Sequence, residues 1–116
     1  TGLVGLMLLD CKSVQLENLV AIELIRRYRL ENVFYFENNV EIDFYVPTQK
    51  LAIQVSLQVL DDMDTRERET RAFVRLHNLI PDAKCLIITN SEEASLECDG
   101  IAISVVPAWK WLLDVT

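Results

Sequence analysis

The spacing of apolar residues from Ser13 to about Arg29 predicts a helix. Leu16, Leu19, Val20, Glu23, Leu24 and Arg27 recur at helical intervals, the apolar members form a buried stripe, and Ser13 is placed to cap the start. Val33–Phe36 reads as a short strand and Glu37-Asn38-Asn39 as a turn. In the next segment the period changes to two. Val40, Ile42, Phe44 and Val46 alternate with Glu41, Asp43 and Tyr45, and Ile53, Val55 and Leu57 alternate with Ala52, Gln54 and Ser56. A four-residue loop, Pro47-Thr48-Gln49-Lys50, pairs Val46 with Leu51. Counting back, Asp43 then faces Gln54 and Glu41 faces Ser56, which gathers one polar cluster on an otherwise apolar hairpin.

Further along, Asp61-Asp62-Met63-Asp64-Thr65 reads as a loop and cap, with Asp64 and Glu67 at capping-box spacing. A helix from about Thr65 to Asn78 is expected to bury Ala72, Phe73, Leu76 and Ile80. Pro81-Asp82-Ala83 turns the chain into Lys84–Thr89, a run suited to a strand covered on both faces. Asn90 to Gly100 reads as a polar loop and Ile101–Val106 as a strand. Pro107 is expected as the first residue of a terminal helix carrying Trp109, Leu112 and Leu113. The expected order is α-β-β-β-α-β-β-α, an α/β sandwich with a mixed sheet. The helix between the third and fourth strands calls for a parallel crossover. With no repeat, low-complexity tract or Gly/Ser linker, residues 1–116 read as one domain.

Composition narrows the function classes. Of 116 residues, 51% are hydrophobic and 25% charged, the balance of a soluble globular domain, and a cytoplasmic setting is expected. No apolar stretch approaches the ~20 residues of a membrane span, and Thr1–Leu9 is too short for one, so no membrane partner is expected. The absence of a Met at position 1 suggests a piece of a longer chain. The net charge of −7 argues against an independent, high-affinity nucleic-acid binder, which needs positive potential to displace counterions from phosphates. Cys11, Cys85 and Cys98 show no C-x-x-C spacing and His77 is the one histidine, so neither a zinc site nor a disulfide framework is expected. Inert thiols in a reducing compartment are the expectation.

The residues TGLVGLMLLD, LENLVAIELIRR, VFYFENNVEIDFYV and LAIQVS, in that order, resemble the PD-(D/E)xK nuclease superfamily, whose core is α-β-β-β-α-β. More narrowly, nearly the whole chain resembles the C-terminal domain of a group of prokaryotic AAA-type ATPases. The resemblance implies a restriction-endonuclease-like fold, with an ATPase domain of the same chain as the first partner. In active members, it implies, the E-x-D-F aspartate and the E-x-K glutamate hold a divalent cation, the helix acid assists, and the lysine orients or activates the attacking water. Hard oxygen ligands for Mg²⁺ or Mn²⁺ and a cation beside the nucleophile are what phosphodiester hydrolysis requires. Carried onto this chain, Glu17 is the helix acid, Asp43 the principal metal ligand, Gln54 stands for the glutamate and Ser56 for the lysine. Glutamine keeps a carbonyl oxygen without the charge, whereas serine supplies no positive charge at all. The expected function is therefore a degenerate, non-catalytic nuclease-fold module with no cofactor, serving contacts with the ATPase part, further copies of itself or nucleic acid. The alternative is a metal-dependent endonuclease with an altered site, using Glu17, Asp43 and Gln54 as metal ligands.

Plainer readings of the same residues stand beside these. Glu17 also reads as a first-turn acid, where it favours the helix dipole. Gln54 and Ser56 are also hydrogen-bond partners able to satisfy Asp43 and Glu41 in a structural cluster. Arg66, Arg68, Arg71 and Arg75 suggest phosphate contacts, but the interleaved Glu67 and Glu69 favour a solvated, salt-linked helix face. Trp109 and Trp111 read as packing groups.

Overall fold

The computed structural model describes residues 13–36 and 42–114. Helix α1 spans Ser13–Tyr28, strand β1 Phe34–Phe36, β2 Ile42–Val46 and β3 Leu51–Val55. They are followed by helix α2, Met63–Leu79, strands β4 (Lys84–Thr89), β5 (Ala94–Cys98) and β6 (Ile101–Pro107), and a short helix α3, Ala108–Leu113. The six strands form one mixed sheet in the order β1-β2-β3-β4-β6-β5. The pairs β1–β2, β2–β3 and β5–β6 are antiparallel, while β3–β4 and β4–β6 are parallel. The expected α/β class and the parallel crossover through α2 are both present. The strand count is not as expected.

The extra strand is β5, inside the segment read as a polar loop. It pairs with β6 from Cys98↔Ile101 to Ala94↔Val105 without interruption. The turn between them is Asp99-Gly100, and both residues have positive φ, 51° and 79°. That is the backbone of a type I′ hairpin turn, for which Asp-Gly is a preferred pair. Ala94, Leu96 and Cys98 are half-buried against the core while Ser95 and Glu97 are exposed. Weak apolar residues on an edge strand give a faint period, and the turn dipeptide was the stronger signal.

The sheet is covered on both faces. On one, Ala52, Cys85, Ile87, Ile103 and Val105 pack against Ala72, Phe73 and Leu76 of α2. On the other, Val46, Ile53 and Ile88 meet Leu16, Val20 and Leu24 of α1, with Ala108 and Trp111 of α3. Strand β4 contributes to both cores, as its unbroken apolar run requires. The stripe expected on α1 is the buried one, and its two charged members have a specific task. Glu23 accepts from Arg26 Nε (2.9 Å) and from Arg27 Nε (2.6 Å). Arg27 in turn donates to the main-chain oxygens of Trp111 (2.7 Å) and Asp114 (2.8 Å), with its guanidinium 4.7 Å from the Trp111 ring centroid. These bonds satisfy carbonyls at the end of α3 and tie it to α1. The Arg26 hydrogen bond holds the Glu23 carboxyl below the usual carboxylate range, against the opposing effect of its burial.

Helix ends also differ from expectation. The cap of α2 is Asp62, whose carboxylate accepts from the Thr65 N–H (3.2 Å) and Thr65 Oγ1 (2.9 Å), and not the pair Asp64 and Glu67. Glu67 instead pairs with Arg71 one turn on. Pro107 closes β6 and caps α3 from outside, one residue earlier than its expected place within the helix. Ser13 is itself the first helical residue of α1.

Candidate functional site

The hairpin register is as counted from the sequence. Val46 pairs with Leu51, Tyr45 with Ala52 and Phe44 with Ile53. Beyond Phe44 the ladder stops, although the same register continued would put Asp43 opposite Gln54 and Ile42 opposite Val55. Side chains take over there. The Asp43 N–H donates to Gln54 Oε1 at 2.9 Å, and the Val55 N–H donates to Asp43 Oδ2 at 2.8 Å. Each polar side chain accepts from the other strand's backbone, in place of the main-chain bonds a regular ladder would supply.

The cause is a β-bulge. On the other side of β2, Phe34 pairs with Tyr45 and Phe36 with Ile42, so three residues of β1 stand against four of β2. Ile42 and Tyr45 both reach the α2-side core, while Phe44 and Val46 reach the α1-side core. The simple alternation expected from Val40 to Val46 therefore fails at Asp43. Ile42 changes face, and Tyr45, assigned to the polar face, is 7% exposed. The bulge opens the ladder where Asp43 and Gln54 can bridge it. Gln54 is 3% exposed, a degree of burial its amide tolerates only with partners such as the Asp43 N–H.

The other expected site residues stand apart from this bridge. Ser56 lies one residue beyond β3, where its N–H donates to the Ile88 carbonyl (3.0 Å) and its hydroxyl to the Gln58 carbonyl (2.9 Å). Glu17 is exposed on α1 and lies beyond its first turn, which holds no acidic residue, so the first-turn reading does not hold. That helix packs on the Ile53 face of β3, and Gln54 belongs to the opposite face by strand alternation. Glu41 lies outside the described residues, as do Val40 and Cys11. Lys50, at the turn of the hairpin, is paired with Asp82. Among the described residues no three of His, Cys, Asp and Glu cluster as a metal-ligand set.

Two carboxylates outside the expected site are placed differently from their sequence reading. Glu69 of α2, expected on a solvated face, is 7% exposed and lies 3.5 Å from Arg68. Its spacing to Ala72, Phe73 and Leu76 is i+3, i+4 and i+7, so periodicity places it on the buried stripe. Glu92, after β4, accepts from the N–H groups of Val59 (2.5 Å) and Leu60 (3.1 Å). Thr89 Oγ1 fixes that turn by donating to the Glu92 carbonyl (2.7 Å) and accepting from the Glu92 N–H (2.9 Å). Glu92 thus pins the loop that leaves β3 past Ser56. Nothing in a polar loop's composition marks such a long-range contact.

A separate open groove of ≈ 780 Å³ lies on the α1 side of the sheet, lined in part by Leu51, Lys84, Leu86, Ser104, Val106 and Trp111. Neither Asp43 nor Gln54 contributes to it. Cys85 is buried, 3.5 Å from His77 Nε2, and burial pushes its thiol up to about 11. No helix among the described residues is long and apolar enough to cross a membrane. No family model, curated protein or solved structure matches the chain.

Proposed function

We propose that this chain is a nuclease-fold module that does not cleave, acting through contacts with an attached AAA-type ATPase, further copies of itself or nucleic acid. The observation that carries this reading is the pair of bonds between Asp43 and Gln54 and the strand backbone. An Asp43 oxygen is engaged by the Val55 N–H and the Gln54 carbonyl oxygen by the Asp43 N–H. In the resembled nucleases those oxygens would face a divalent cation. Ser56, at the lysine position, brings no charge, and its hydroxyl is turned to the Gln58 carbonyl. The strand order supports the fold part of the reading, since an antiparallel β1–β2–β3 unit followed by a helical crossover to a parallel β4 agrees with the α-β-β-β-α-β core. Electrostatics supports the lack of strong nucleic-acid affinity. Arg71 is paired with Glu67, Lys110 with Glu93 and Lys50 with Asp82, on a chain of net charge −7.

The test is incubation of supercoiled and single-stranded DNA and of RNA with the chain in Mg²⁺ and in Mn²⁺. The expected outcome is no cleavage above that of an Asp43→Ala control. Metal-dependent cleavage abolished by Asp43→Ala overturns the reading in favour of an endonuclease with an altered site. A companion variant, Gln54→Glu with Ser56→Lys, asks whether restoring the missing charges restores divalent-metal binding by calorimetry.

A further inference from the structure

On the α1 side the sheet is only partly roofed. α1 ends at Tyr28 and α3, six residues long, ends at Leu113. Between them the groove of ≈ 780 Å³ lies over the starts of β3 and β4 and the middle of β6. The register explains its floor. Leu51 pairs with Lys84 and Leu86 with Ser104, and by strand alternation these residues share one face with Val106. Leu51, Leu86 and Val106 are only partly buried, which leaves an apolar floor open to a ligand. The volume is that of a pocket for a small organic molecule, about 300–1,000 Å³.

The polar side chains around that floor are uncommitted. Tyr28, Gln49, Lys84 and Ser104 line the groove, and none of these four side chains has a hydrogen-bond or ionic partner among the described residues. Each can donate a hydrogen bond, and the Lys84 ammonium can only donate. The other cations of the lining are engaged. Arg27 is held by Glu23 and by the Trp111 and Asp114 carbonyls, and Lys110 is paired with Glu93. Three cations and one carboxylate, Asp114, thus line the groove of a chain whose net charge is −7. We infer that the groove binds an organic acid, its apolar body laid over Leu51, Leu86 and Val106 and its carboxylate held by Lys84 and the neighbouring hydroxyl and amide donors. One uncommitted ammonium balances one negative charge, which favours a carboxylate over a doubly charged phosphate monoester. A mostly apolar hollow with a few convergent polar groups is the usual build of a small-molecule site. The inference is independent of the nuclease reading, since no residue of the Asp43–Gln54 bridge takes part.

Titration of the isotope-labelled full chain, followed by NMR, tests this with 1-naphthoate, decanoate and the neutral 1-naphthamide. Both acids are expected to shift the amides of Leu51, Lys84, Leu86 and Ser104 saturably, with the amide compound binding there about tenfold more weakly. Lys84→Met weakens both acids about tenfold or more and leaves 1-naphthamide unchanged. Ser104 is exposed, so Ser104→Phe fills the groove without disturbing the core, and binding of all three compounds is lost. Arg75→Met, on α2 across the sheet, changes nothing. Absence of saturable shifts at millimolar acid, shifts centred elsewhere, or binding that survives Ser104→Phe overturns the site. Equal binding of 1-naphthoate and 1-naphthamide, or indifference to Lys84→Met, overturns the carboxylate as its ligand. Methyl contacts from Leu86 or Val106 to residues 1–12 of the same chain mean a groove filled from within, and they overturn the proposal too.

Discussion

The β2–β3 and β5–β6 hairpins of the sheet reach the same result by different chemistry. In β5–β6 the turn does the specifying. Asp99 and Gly100 adopt the positive φ values that match strand twist, and the ladder then runs unbroken to Ala94↔Val105. In β2–β3 the turn is longer, its 3₁₀ segment Pro47–Gln49 ending on Lys50 at φ 49°, and the ladder lasts only to Phe44↔Ile53. Beyond that point Asp43 and Gln54 hold the strands together through side chains. The difference shows where sequence variation is tolerated. A backbone ladder accepts almost any side chain, whereas a side-chain bridge fixes the identity of the residues that build it.

The largest effect that would break this contrast is at Asp43. Replacing it with Ala leaves the Val55 N–H without its charged acceptor, and a loss of about 2–3 kcal/mol is expected. Chemical denaturation should show the midpoint falling with little change in slope. Gln54→Ala is expected to be comparably harmful, and the double variant less harmful than the sum of the two, because the residues are in direct contact. Strict additivity would mean that the bridge is not a unit. Next in size is Gly100→Ala. No atom lies within 4 Å of the added Cβ, so the cost is conformational alone, about 1 kcal/mol for a side chain in the left-handed region. This change should add to Asp43→Ala without coupling, since the two hairpins share no partners there.

The smallest effect concerns Lys50 and Asp82, which tie the β2–β3 turn to the residues before β4. The hydrogen bond from Lys50 holds the Asp82 carboxyl below its usual range, and Asp82 holds the Lys50 ammonium above its own. The lowered Asp82 value means stability present above the unfolded carboxylate range and lost as pH falls through the folded value. The raised Lys50 value means stability present below the unfolded lysine range and lost as pH rises through the folded value. Lys50→Met should therefore differ from the parent chain near neutrality and converge with it in acid and in strong alkali. Both groups are solvent-exposed, so the difference should shrink further with added salt.

How much of this was legible beforehand depends on whether the information is local. The α1 stripe, the α2 core positions, the parallel crossover and the Val46↔Leu51 register follow from period and turn length, and each is present in the structure. The facing of Asp43 and Gln54 was readable from the same count. The bulge was not, because its cause lies in pairing with β1, and it reversed the faces expected of Ile42 and Tyr45. Strand β5 was missed because its period is weak, though Asp99-Gly100 marked the turn. The clamp of Glu92 on Val59 and Leu60 joins loops 32 and 33 residues apart, a relation no window of sequence displays.

The bridge at Asp43 also bears on how such a chain changes over generations. An aspartate that two strands need for their pairing is filtered by selection for a folded product, whatever else the position does. A position like Ser56, whose hydroxyl reaches only a carbonyl two residues away, is under no such restraint. When a catalytic centre falls out of use, its ligands should therefore disappear unevenly, those braced by the backbone last. Persistence of the acid at position 43 among variants of this protein would then be a record of folding, and variation at position 56 the mark of a side chain that the fold does not need.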